Sequence, residues 1–66
     1  MKLTETEKML VAVLAYDVVA TGKVEDGGDF VAYAVMKLGN EWNTPERMNY
    51  LEREYYKQKH AFESNF

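Results

Sequence analysis

Residues 9–20 read Met-Leu-Val-Ala-Val-Leu-Ala-Tyr-Asp-Val-Val-Ala and carry one charge, Asp17. This run constrains the fold more than any other feature. Its flanks supply helix ends. Thr4-Glu5-Thr6-Glu7 fits a capping box, in which the threonine caps the first turn and Glu7 reaches back to the cap. Glu5 and Glu7 also suit the positive end of the helix dipole. Gly22 is a natural stop, since glycine adopts the left-handed conformation that closes helices. Val11, Val13, Val18 and Val19 favour strand by type, but the run neither alternates nor contains turn residues. The sequence therefore predicts a helix over 5–21.

Two further helices follow from similar signals. Residues 22–29 hold two adjacent glycines and three acids and are expected to form a loop. Asp29 then caps a short helix over 30–38, which Gly39 ends. Asn40 to Asn43 form a link. Thr44-Pro45-Glu46 opens the third helix with a cap, a proline where no N–H is needed, and a first-turn acid. It is expected to reach residue 62, with Ser64, Asn65 and Phe66 as a frayed end.

The helices differ in how they distribute apolar residues. The third is amphipathic, with Met48, Leu51, Tyr55 and Phe62 in one stripe and Arg53, Lys57 and His60 on the far side. The first two are apolar almost all round, and Lys37 is the only charge between Phe30 and Leu38. Such helices are buried on every side or covered by a partner. A chain of 66 residues has only one other helix to hide them. Chains this short commonly need a metal, a disulfide or oligomerisation for stability. The expected fold is a small all-α three-helix domain, long-short-long, packed as a homodimer. Candidate interface residues are Leu10, Leu14, Asp17, Phe30, Tyr33, Met36 and Trp42.

Composition removes other classes. With no cysteine, disulfide scaffolds and thiolate zinc modules are excluded. A single histidine excludes a His-pair metal site within one chain. No apolar run reaches a membrane span. At 47% hydrophobic and 14% aromatic, disorder is disfavoured. The sole serine, Ser64, sits near the end of the chain, and phosphate-cradling glycine motifs are absent. No enzyme, cofactor or metal is expected. Met-Lys-Leu-Thr-Glu-Thr-Glu-Lys does not read as a secretory signal, and the expected location is the cytoplasm.

Three features admit a functional reading. Asp17, near the negative end of its helix, either marks a wet strip or pairs with Arg47, Arg53 or a partner's base. Arg53, Lys57 and His60, flanked by Tyr50 and Tyr56, form a small basic-aromatic face that could meet phosphate or nucleic acid. Glu46 and the net charge of −3 weaken that reading. The link from Gly39 to Thr44 is also longer than a helix-turn-helix turn. Trp42 either plugs the gap between helices or anchors a partner. Glu25, Asp26 and Asp29 lack the spacing of a calcium loop and read as a solvated turn with a cap. The expected function is a non-enzymatic interaction module, a small regulator or inhibitor of the kind a phage encodes, binding a larger protein. Weak nucleic-acid or phosphate binding by the third helix is the alternative.

Overall fold

A computed structural model describes residues 2–64. They form three α-helices and one 3₁₀ turn: α1 (Glu5–Thr21), α2 (Gly27–Leu38), the turn Asn40–Trp42, and α3 (Pro45–Ser64). No strand occurs among the described residues. The architecture is the expected compact three-helix domain.

Both ends of α1 are closed by local chemistry. The Thr4 hydroxyl accepts from the Glu7 N–H at 3.1 Å, and the Glu7 carboxylate accepts from the Thr4 N–H at 2.9 Å. Gly22 sits at φ 67°, a left-handed conformation, and its N–H closes the last turn on the Val18 carbonyl.

The start of α2 corrects the sequence reading. The helix begins at Gly27, not Phe30, and its cap is Asp26, whose carboxylate accepts from the Asp29 N–H at 2.9 Å. Two glycines are tolerated because a first turn has few intrahelical bonds to lose. Tertiary packing also selects Gly27. An added Cβ would lie 2.7 Å from the Tyr56 ring and 2.9 Å from the Glu52 side chain. The Gly27 N–H donates to the Tyr56 hydroxyl at 3.3 Å. The loop expected over 22–29 therefore ends at Asp26.

At α3, the Thr44 hydroxyl accepts from the Arg47 N–H at 3.3 Å and Pro45 takes the first helical position. The helix continues to Ser64, so that residue is ordered in the last turn and not frayed. The expectation for Asn65 and Phe66 lies outside the described residues.

The core holds Val11, Ala15 and Val18 of α1, Phe30 and Ala34 of α2, Trp42, and Leu51 and Tyr55 of α3. Phe30 stacks on Tyr55 with ring centroids 5.6 Å apart. Glu7 meets Arg47, and Tyr16 meets Phe62 edge-on at 6.5 Å, so α1 and α3 run in the same direction. α3 packs extensively on both other helices, whereas α1 and α2 touch each other little. It acts as a spine, and a cleft opens between α1 and α2.

One polar cluster fastens the spine to the start of α1. The Arg47 guanidinium lies 3.2 Å from the Glu7 carboxylate and 4.7 Å from the centre of the Trp42 ring. The Thr4 N–H, followed by the Arg47 charge and the hydrogen bonds from Thr4 and Arg47, holds the Glu7 carboxyl below its ordinary value, against the opposing effect of burial. A carboxylate lowered in the folded state stabilises fully above its unfolded pKa, and that contribution is lost as pH falls through the folded value. Acidification below the usual glutamate range is therefore expected to loosen the start of α1. Glu7→Gln should flatten the acid limb of a thermal-stability profile followed by circular dichroism.

Candidate interaction surface

The first helix has two apolar sides, and the fold uses one. Val11, Ala15 and Val18 are fully buried. On the opposite side Met9 is 66% exposed, Leu10 51%, Val13 62% and Tyr16 57%. Met36 of α2 is 71% exposed. Burying a large apolar side chain is worth about 1.5–3 kcal/mol, so leaving four of them in water on one helix is costly. Contiguous apolar patches of this kind mark contact sites.

Beside that ridge lies the cleft between α1 and α2. It has a volume of about 300 Å³ and is lined by Leu10, Val13, Leu14, Asp17, Lys37 and Leu38. Asp17 and Lys37 are its only charged residues and both are exposed. Asp17 makes no ion pair among the described residues. Of the bases within the chain that could pair with Asp17, neither Arg47 nor Arg53 does so among the described residues, and Glu7 holds the Arg47 guanidinium. Lys37 stands 5.6 Å from the centre of the Tyr33 ring, with no carboxylate partner among the described residues.

The candidate interface residues therefore separate. Leu10, Asp17 and Met36 are exposed, while Leu14 and Tyr33 are half-buried. Leu10, Leu14 and Asp17 meet in the cleft. Phe30 and Trp42 do not belong to the surface. Phe30 is fully buried against Tyr55, and Trp42 is 3% exposed under the Arg47 guanidinium. Of the two readings of Trp42, the plug between helices is the one the structure supports. Beyond those candidates, Val13, Lys37 and Leu38 also line the cleft, and Met9 and Tyr16 are exposed on α1. Val13 and Asp17 lie one turn apart on α1 and Lys37 is the only charge of α2 beyond its first turn, so part of the signal was present.

The basic-aromatic candidates also divide. Arg53, Lys57 and His60 are exposed on α3, whereas Tyr56, though partly exposed, packs its ring against Gly27 at the start of α2. The Tyr56 hydroxyl is engaged by Gly27. Tyr50 belongs to a different environment. Burial, then the Glu54 and Glu5 charges, push its phenol upward, which marks acidic and not cationic surroundings. Among the described residues no three acidic or imidazole side chains gather to hold a metal, and no helix is long and apolar enough to cross a membrane.

Comparison with known protein families, with curated proteins and with solved structures gives no match.

Proposed function

We propose that this chain is a non-enzymatic protein–protein interaction module whose working surface is the outward face of α1 with its adjoining cleft. The observation that carries this reading is the exposure of Met9, Leu10, Val13 and Tyr16, each more than half open to solvent on one helix. A face of this composition gains free energy only by being covered with another apolar surface. A small domain that docks in this way acts by occluding or bridging what it binds, which is the action of a regulator or inhibitor. We place that action in the cytoplasm, a compartment that a cysteine-free chain suits.

The competing reading uses Arg53 and Lys57, which make no ion pair among the described residues, with His60 as an anion-binding face. A photo-reactive residue placed at Val13 or at Lys57 in the full chain separates the two. Adducts of defined mass are expected from position 13 and should persist at high salt, because apolar contacts respond little to screening. Adducts from position 57 alone, lost steeply as salt rises, would replace the interaction reading with the anion-binding one.

A further inference from the structure

We infer that the occupant of the α1 face is a second copy of this chain, docked about a two-fold axis that sets each copy's Asp17 against the other copy's Lys37. This rests on reading that face as a docking surface.

The first argument is charge. The cleft is apolar except for one carboxylate and one ammonium at its edge. Asp17 has no ion pair within its own chain among the described residues, and Lys37 has only an aromatic ring. A patch bearing one charge of each sign can be its own electrostatic complement, because a two-fold axis passing between the two charges sets unlike charges against each other. The chain as a whole carries −3, yet the cleft lining carries one charge of each sign, so two copies bring no net charge together at the cleft. A nucleic acid fits neither the apolar lining nor the exposed carboxylate.

The second argument is shape. Leu10 and Val13, each more than half exposed, form the α1 rim of the cleft that Leu14 and Leu38 also line. A two-fold operation seats the rim of one copy in the cleft of the other and repeats the contact. Area is the third argument. A standard interface takes about 800 Å² from each partner, roughly a sixth of the 4560 Å² this chain exposes. A contact of that size needs the exposed Met9, Leu10, Val13 and Tyr16 as well as the cleft lining.

Sedimentation equilibrium of the full chain over a dilution series tests the proposal. The expected mass at high concentration is twice 7.7 kDa, falling toward 7.7 kDa on dilution. Asp17→Lys and Lys37→Asp should each raise the dimer Kd by roughly tenfold, since each reversal places two like-charged pairs in the interface. The double reversal should return the Kd to near its starting value. Both positions are exposed, and circular dichroism of each variant checks that the fold is retained. A mass of 7.7 kDa at every concentration would overturn the second copy as occupant; the interaction reading would then stand or fall on cross-linking at position 13. A dimer that ignores both reversals would overturn the two-fold pairing.

Discussion

Phe30→Ala is expected to cost about 3–5 kcal/mol of stability, the usual range for emptying a buried phenylalanine site. Phe30 has no exposed surface, stacks on Tyr55, and ties α2 to the spine. A domain of this size has only about 3–10 kcal/mol in total. The variant should therefore be largely unfolded or close to it, with its urea midpoint moved most of the way to zero. Circular dichroism during urea titration reads this directly. A loss under about 1 kcal/mol, typical of a surface position, would mean that Phe30 is not interior and would return it to the interface candidates.

Leu10→Glu combined with Val13→Glu should behave in the opposite way: nearly normal monomer stability with association abolished. Both side chains are more than half exposed, so the fold loses little by their removal. Glutamate is at least as good a helix former as valine. The new carboxylate at position 13 sits four residues from Asp17, a like-charge spacing that costs only a few tenths of a kcal/mol. In a two-fold dimer the pair of changes removes four apolar side chains from the interface and inserts four charges. At about 1.5–3 kcal/mol for each apolar side chain fully buried, even partial burial makes the loss exceed 100-fold in Kd, by the rule of roughly 1.4 kcal/mol per tenfold. Light scattering should show a folded monomer at concentrations where the native chain is dimeric. An unchanged dimer would place the interface elsewhere.

The legible parts of the fold were those set by local chemistry. Thr4, Gly22 and Thr44-Pro45 fixed helix ends because caps act within one turn. The start of α2 was not legible. Asp26 and Asp29 are both competent caps, and Gly27-Gly28 argues locally for a loop. What adds to the local signals is the Tyr56 ring, 29 residues away, which a Cβ at position 27 would crowd at 2.7 Å. The interaction surface was legible in kind but not in detail. That α1 is apolar on two sides is written in residues 9–20. Which side the core takes depends on α3 packing against Val11, Ala15 and Val18, a tertiary choice that periodicity in a uniformly apolar helix does not reveal. The same degeneracy misplaced Phe30, since α2 offers apolar residues on every side and only packing tells Phe30 from Met36. Charge alone admits Arg47 as one of several partners for Asp17, whereas Glu7 faces Arg47 because α1 and α3 start at the same end.

Hydroxyl-radical labelling of Leu10 and Val13, read by mass spectrometry against Lys57 as an exposed reference, tests the central claim most directly. Protection of both residues should grow with protein concentration and vanish on dilution, while labelling at Lys57 stays constant. Equal, rapid labelling of all three positions up to millimolar protein would show that the outward face of α1 remains wet and would contradict its burial by a second copy.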